Sequence, residues 1–381
     1  MDHLIRFCTL DFKGAYMDTK KKNIIVCIIA TVFIATGFIL SVIKPDNDYS
    51  AAERRKLQKK PDVSATTIMN GKFMNDFENY SMDQFPFRES FRKIKSFIIT
   101  DVFNMKDKNG LYEYKGYISD MDYPLNEKSY IYATDRFKYI KDKYLDKSNS
   151  VYISVIPDKN IYLGEKSGHL SVDLNDVEKI IKEQMPYAEY ISISDLLNEN
   201  DYYKTDTHFK QECVLPAAMK IAKDMGAEVD NNFETVNLKD DFYGVYYGQY
   251  AKDVLPDMIS YLTNDTIENM DVYDGENKKE IPVYNTDKLK GKDPYELFLS
   301  GPLSLVTINN TKVENDRRLI IFRDSFGSSI APVIATAYKE TILVDIRYIH
   351  PAYLDKFISF ENADILFLYS TLVLNNSESI K

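Results

Sequence analysis

Residues 317–338 read RRLIIFRDSFGSSIAPVIATAY. The run RLIIF (318–322) reads as a strand. It stops at the turn-forming Asp324-Ser325, and apolar residues then resume at helical spacing. Strand, turn and helix in that order form the repeating unit of a parallel α/β sheet. Ser325 falls at the carboxyl end of the strand and just ahead of the helix. Open α/β sheets gather ligands there, and backbone N–H groups point outward.

The alternation continues on both sides. SVYISVIPDK (150–159) is a strand ended by proline, and DVEKIIKEQM (176–185) is helical. YAEYISISDLL (187–197) reads as a strand running into a helix. ECVLPAAMKIAKDMG (212–226) is an amphipathic helix with Gly226 as its stop. ETILVDIRYI (340–349), PAYLDKFISF (351–360) and ADILFLYS (363–370) read strand, helix, strand. The expected fold class is α/β, a three-layer α/β/α domain with a mainly parallel, doubly wound sheet. The region 230–316, rich in Asp, Asn, Tyr and Gly, reads as a β-rich insertion. Its pieces DDFYGVYYGQYA (240–251) and KKEIPVYN (278–285) look like hairpins. Upstream, Phe73, Phe77 and Tyr80, and then Phe91, Ile94, Ile98 and Phe103, recur at helical spacing. They predict two helices broken at Phe85-Pro86. NGLYEYKGYIS (109–119) reads as a hairpin.

The chain begins differently. Ile24–Ile43 is an uncharged apolar run of about 20 residues, the length that crosses a bilayer core. Lys20, Lys21 and Lys22 precede it and favour a cytoplasmic N-terminus, hence a single-pass cell-membrane protein with an extracytoplasmic body. A cleaved signal peptide is the competing reading. The run is long for one, and no small-x-small site precedes NDYSAAERRKLQKKP (47–61). Arg54, Arg55, Lys56, Lys59 and Lys60 pull against the orientation. The expected organisation is a tail over 1–22, a transmembrane anchor over 23–43, a linker over 44–72 and a domain over 73–381, with the insertion at about 230–316.

Of 381 residues, 44% are hydrophobic and 28% charged, enough for one large domain or two small ones. A net charge of -10 leaves no basic field for nucleic acid. Cys8 and Cys27 lie before or within the apolar run, so the body keeps only Cys213 and cannot form an internal disulfide. No Cys/His cluster suggests zinc, and no cofactor is expected. The 29 tyrosines read mainly as packing and surface residues, with a sugar-lined groove as the lesser alternative.

Serine is a weak nucleophile without a base, and histidine is the usual one. His3 falls on the cytoplasmic side of the anchor. His169 sits in a polar loop, and His350 starts a helix. His208, in YYKTDTHFK (202–210), alone has a carboxylate two residues away. Asp206 can hold one ring nitrogen and leave the other for Ser325. Each motif by itself reads equally well as a set of helix caps. Their joint placement at loop-to-helix junctions of one α/β core is what points to chemistry.

These residues carry a resemblance. YYKTDTHF resembles the Asp-x-His-Trp signature of the DHHW proteins and of the AlgX/AlgJ-like alginate acetylation proteins. IIFRDSFGSS (320–329) is similar to their nucleophile motif. DQFPFRESF (83–91) with NGLYEYKGYI (109–118) is similar to their amino-terminal part, and DILFLYS (364–370) also fits. The resemblance runs from about Asn75 to the C-terminus. It implies an SGNH-hydrolase-like (flavodoxin-like) domain in permuted order, with the Asp-His pair ahead of the serine. It also implies O-acetyl transfer to, or O-acetyl ester cleavage from, a cell-surface or exported polysaccharide, with a membrane-bound O-acyltransferase as partner. Carried over, Asp206 orients, His208 is the base and Ser325 the nucleophile.

Two positions depart from the pattern. Phe209 replaces the tryptophan, and Arg323 stands where many SGNH enzymes have a glycine that permits close backbone approach. Tyr203, Asp324, Gly301, Asn309, Asn310 and Arg347 are candidate oxyanion or substrate-binding residues. The alternative function is a non-catalytic glycan-binding or scaffold protein of a cell-envelope acyltransferase complex, which Arg323 favours. A secreted lipase or peptidase ranks last, because no G-x-S-x-G elbow occurs.

Overall fold

The computed structural model describes residues 18–381, so His3 and Cys8 lie outside the described residues. The chain forms two compact units. One runs to Ser50 and resumes over Arg55–Phe91; the other comprises Ala51–Arg54 and Arg92–Lys381.

The first unit opens with α1 (Thr19–Ile43), a helix long and apolar enough by length and composition to cross a membrane. A short hairpin follows, β1 (Tyr49–Ser50) with β2 (Arg55–Lys56), then α2 (Ala65–Met69) and α3 (Lys72–Asp83). Arg55 makes two hydrogen bonds to the Asp83 carboxylate, 2.6 and 2.9 Å, which tie the hairpin to the end of α3. Residues 84–87 break the helical path before α4 (Arg88–Phe97), as Phe85-Pro86 predicts.

The helix over 88–97 was legible, but its buried face was not. Ile94 is 53% exposed and Phe103 69%, whereas Ser96 is buried and donates to the Tyr250 carbonyl at 2.7 Å. The apolar stripe faces outward.

In the second unit β3 (Leu111–Tyr114) and β4 (Tyr117–Asp120) form the expected hairpin. Lys115 and Gly116, both at positive φ, make its two-residue turn. The core then follows: α5 (Glu127–Tyr144), β5 (Val151–Ile156), α6 (Lys159–Ser167), α7 (Leu174–Gln184), β6 (Glu189–Tyr190) and α8 (Leu215–Asp224). After it come β7 (Glu234–Phe242), α9 (Val245–Tyr250), β8 (Asp257–Thr263), α10 (Asp265–Glu268), β9 (Met270–Asp274), β10 (Lys279–Ile281) and β11 (Leu305–Asn310). The chain closes with β12 (Arg318–Arg323), α11 (Gly327–Ala335), β13 (Glu340–Val344), β14 (Ala363–Ser370) and α12 (Thr371–Asn375).

The central sheet has the order β10-β9-β11-β13-β12-β14-β5-β6. From β13 to β6 the strands are parallel; β10, β9 and β11 pair antiparallel at the other edge. Alternate residues of the strands feed opposite cores. Leu319 and Ile321 of β12 join the core formed with α8 and α11, and Ile320 and Phe322 join the one formed with α5 and α7. Hence the three layers, and hence the unbroken apolar run of β12.

Three expectations are corrected. Residues 240–251 do not form a hairpin. The segment ends β7 and then turns helical, and Tyr246 and Tyr250 of α9 bury against Leu111 and Ile118. The 351–360 segment holds only a 3₁₀ turn (Pro351–Lys356), and 187–197 has two strand residues and a 3₁₀ turn (Ser194–Leu196). Within the region 230–316, β9, β10 and β11 widen the main sheet.

The sheet predicts its own most sensitive point. Phe367 of β14 is fully buried between Phe137, 4.6 Å away by ring centroid, and Phe322, 5.0 Å away. Phe367→Ala should cost about 3–5 kcal/mol. Urea denaturation checks this as a lower midpoint at unchanged slope.

Candidate active site

The carboxyl ends of the parallel strands meet at one edge. Pro157-Asp158-Lys159 follows β5, Asp324-Ser325 follows β12 and Asp345 follows β13. The loop carrying Asp206 and His208 is held over this edge by charge on two sides. From below, the fully buried Lys159 ammonium donates to the carbonyls of Tyr203 (2.9 Å), Lys204 (3.4 Å) and Asp206 (2.5 Å). On the other side the Asp257 carboxylate accepts from the Lys204 N–H, the Thr205 N–H and the Thr205 hydroxyl, at 2.8, 2.8 and 2.6 Å. The loop is not a helix start as expected. Its hydroxyls and carboxylate engage distant segments instead of capping a helix.

So fixed, Asp206 Oδ1 lies 2.6 Å from His208 Nδ1, and His208 Nε2 lies 2.8 Å from Ser325 Oγ. The imidazole stacks on Tyr295 at 3.7 Å between ring centroids and 7° between planes, and the Tyr295 hydroxyl donates to Ser329 Oγ. A carboxylate, an imidazole and a hydroxyl in this order can move the hydroxyl proton onto the ring. The Ser325 N–H has no acceptor among the described residues.

Burial would raise the Asp206 carboxyl. The charge and hydrogen bond of His208, the Arg54 guanidinium and the Val245 N–H outweigh it and hold the group well below the usual carboxylate range. Its Oδ2 accepts from the Val245 N–H at 2.9 Å and faces Arg54 Nη1 at 3.4 Å. Arg54 also donates to Asp293 Oδ1 and to the Tyr243 carbonyl, both at 2.6 Å. Burial pushes the Asp293 carboxyl up. Sequence reasoning missed Lys159, Arg54, Asp257, Asp293 and Tyr295. Arg54 lay inside the segment read as linker, yet Ala51–Arg54 packs with the second unit.

The other candidates are placed as follows. Tyr203 is fully buried, with its ring edge-on to Phe242 and Tyr295, so it supports the loop from within. Asp324 is fully buried. Its carboxylate accepts from the Phe326 N–H (3.0 Å), the Ser370 N–H (2.8 Å) and the Ser370 hydroxyl (2.7 Å), which pins the turn to the end of β14 and leaves it no path to a substrate. Gly301 donates its N–H to Phe298 within a turn, so it cannot serve as an oxyanion donor. Asn309 pairs with Glu340, which is level with Arg318 at the start of β12; it lies at the opposite end of the sheet from Ser325. Asn310 is buried and donates to the carbonyls of Ala335 and Thr336. Arg347 grips Asp345 through two hydrogen bonds, 2.9 and 2.7 Å. His169 stacks on Tyr112, and His350 accepts from the Ala352 N–H at a turn start.

Arg323 is fully buried. It faces Asp345 at 3.6 Å and donates to the carbonyls of Asp324 and Leu303. The glycine that allows close approach is at 327. A Cβ there would meet Arg323 Cβ at 2.6 Å. Among the described residues no group of His, Cys, Asp and Glu is arranged to hold a metal.

No family model and no curated protein matches the chain. Solved structures do. A DHHW family protein from Eubacterium siraeum matches with a TM-score of 0.58 at 21% identity, over 72% of this chain and 95% of that one. Bacillus cereus PatB1 matches at 0.55 and 14% identity, over 69% and 96%. A second PatB1 structure, with a sulfonyl adduct, gives 0.53. The O-acetyltransferase domain of Pseudomonas putida AlgJ aligns more loosely, at 0.40 and 11% identity over 70% and 92%, a score too low to establish a shared fold. The chain shares the fold of the first two proteins, and at these identities the likeness is one of fold.

Gly244 offers a test of the site's geometry. A Cβ there would fall 2.2 Å from Asp206 Cβ and 2.5 Å from Asp206 N. Gly244→Ala should displace the carboxylate and break its bond to His208. Proton NMR of the detergent-solubilised protein should show a downfield Nδ1–H signal in wild type and lose it in Gly244→Ala and in Asp206→Ala.

Proposed function

We propose that this protein is a membrane-anchored, extracytoplasmic O-acetyltransferase or acetylesterase. It acts on a cell-surface or exported polysaccharide, with Ser325 as nucleophile, His208 as base and Asp206 as the group that orients the imidazole. The observation that carries the proposal is the unbroken chain Asp206 Oδ1–His208–Ser325 Oγ, with both links within hydrogen-bond distance.

Ser325 Oγ attacks the acyl carbonyl while its proton passes to His208 Nε2. Asp206 accepts the Nδ1–H and stabilises the imidazolium that forms. The Ser325 N–H is a donor for the oxyanion. Collapse expels the leaving alcohol, which takes the proton from His208, and an ester remains on Ser325. A sugar hydroxyl or water then gives its proton to His208 and attacks that ester; the acylated sugar or acid departs as Ser325 Oγ takes the proton back from His208 Nε2. Transfer and hydrolysis differ only in which hydroxyl arrives.

The wider assignment has separate supports. Lys20–Lys22 ahead of the apolar run of α1 favour a body outside the membrane, and the outward apolar residues of 91–103 suit a body held close to a bilayer. The half-exposed Tyr243 and the acidic Asp293 beside Arg54 offer a sugar ring a face and an acceptor. The SGNH-like fold suits glycan ester chemistry and a membrane-bound O-acyltransferase as acyl donor. The scaffold alternative loses its main support, since the Arg323 guanidinium is engaged by Asp345 and two carbonyls.

Two measurements check the proposal. The full-length protein in detergent, given 4-nitrophenyl acetate, should release nitrophenol and carry an acetyl group on Ser325 by mass spectrometry. Ser325→Ala should lower the rate by at least about 10³-fold and show no adduct. Equal rates for both proteins would instead support the scaffold.

A further inference from the structure

We infer that the short strap Ala51–Arg54, only a few residues beyond the membrane-length helix in sequence, is a working part of the active site, and that Arg54 is a positioning residue for Asp206. The inference rests on the catalytic reading of Asp206, His208 and Ser325.

Three observations converge on the strap. Arg54 reaches Asp206 Oδ2 at 3.4 Å and Asp293 Oδ1 at 2.6 Å with one guanidinium nitrogen, and the Tyr243 carbonyl at 2.6 Å with another. Its side chain is only 9% exposed, so the pairing is shielded from solvent. The backbone at Arg54 has a φ of +51°, the left-handed region that an arginine enters at a cost when the surrounding contacts hold it there. The body is also shaped to receive the strap. A Cβ on Gly248 would lie 1.5 Å from the Ala52 carbonyl oxygen, so only glycine at 248 leaves room for the strap backbone. Glu53 adds an ion pair to Arg92 at 3.4 Å, and Arg92 in turn donates to the Gly248 carbonyl at 2.7 Å.

The arrangement decides what Arg54 does. Asp206 Oδ1 faces the imidazole, and Oδ2 is held by the Val245 N–H and Arg54. The guanidinium therefore fixes the carboxylate plane from the side away from His208. It also separates two carboxylates that would otherwise repel, since Asp293 is the second acidic group near His208. The groups around the imidazole are Asp206 from its own loop, Asp293 and Tyr295 from the segment after residue 292, and Ser325 and Phe326 from the turn after β12; Arg54 of the strap stands behind the two carboxylates. The Lys159 ammonium lies behind the loop on the Asp206 carbonyl.

Removing the guanidinium exposes the imidazole to two uncompensated carboxylates. Negative charge stabilises the protonated ring, so the free base appears only at higher pH. The acid limb of the Ser325 reaction should move up by about one pH unit. Arg54 touches no reacting atom. In acetyl ester turnover kcat should therefore fall about 10- to 100-fold, with KM little changed.

The test measures phenylmethanesulfonyl fluoride labelling of Ser325 against pH, by intact mass, on the full chain in detergent, with Ser325→Ala as the blank. Arg54→Gln should shift the acid limb upward, and Arg54→Lys should restore part of the shift. Asp293→Asn should move the limb downward, because one negative charge is gone and Arg54 is left to Asp206. Gly248→Ala, which changes no charge, should reproduce the Arg54→Gln shift by lifting the strap. Thermal melts identify any variant that has lost its fold, and the remaining variants decide. If wild type does not label at Ser325, the catalytic reading fails and this inference with it. If wild type labels and Arg54→Gln keeps the wild-type limb, or loses rate with no movement of the limb, Arg54 is structural only and the inference alone is overturned.

Discussion

The site depends on one buried ammonium. Lys159 begins α6 just after the carboxyl end of β5, with no exposure to solvent, and its three N–H donors meet the carbonyls of Tyr203, Lys204 and Asp206. Burial pulls its pKa down, and the Asp158, Asp257 and Asp206 charges pull it back up. An orphaned buried carbonyl costs about 1–3 kcal/mol, so the lysine that satisfies three of them defines the loop conformation. Asp257 does the complementary work on the N–H groups of the same loop. A segment without helix or strand is thereby held firmly enough to keep a short contact between His208 and a serine 117 residues away. The sheet supplies the frame, since β5 and β12 both end at that edge, with β14 between them.

Close approach is the second constraint, and it is met by absent side chains. Gly244 lets the chain press on the Asp206 backbone, Gly248 admits the strap, and Gly327 gives room to Arg323. The last explains why an arginine before Asp-Ser is tolerated. The need for a small residue near the nucleophile turn is satisfied four positions later, and the arginine folds under the helix toward Asp345.

What could be read from the sequence follows from range. The period of β12, its turn and α11 is local, as is the Asp-x-His spacing, and both were visible without coordinates. So were the 109–119 hairpin and the helix break at Pro86. Arg54, Lys159, Asp257 and the pair Asp293 and Tyr295 come from four separate segments, and nothing in the spacing of any one of them reveals that they converge. Asn309 was misplaced because strand direction cannot be read from composition. β11 runs antiparallel to β13, so Asn309 near its end lies level with the start of β12, far from Ser325. The outward apolar face of residues 91–103 was not legible, because periodicity identifies a helix without saying what its stripe meets.

The charges around His208 have a further logic on the proposed mechanism. At rest, with both carboxylates ionised, the cluster of Asp206, Asp293, Arg54 and neutral His208 carries one net negative charge. Proton transfer from Ser325 makes the ring cationic and brings the cluster to zero, while the developing negative charge sits on the acyl oxygen near the Ser325 N–H. A buried site stabilises a transition state best when its fixed charges are complementary to the charge that appears there. A second arginine near the ring would cancel the resting charge and make the imidazolium harder to form. Without any arginine, two unpaired carboxylates would favour the imidazolium before the reaction as well as during it. One guanidinium shared between two carboxylates lies between these limits, and the shorter bond to Asp293 leaves Asp206 enough unneutralised charge to hold the imidazolium in place.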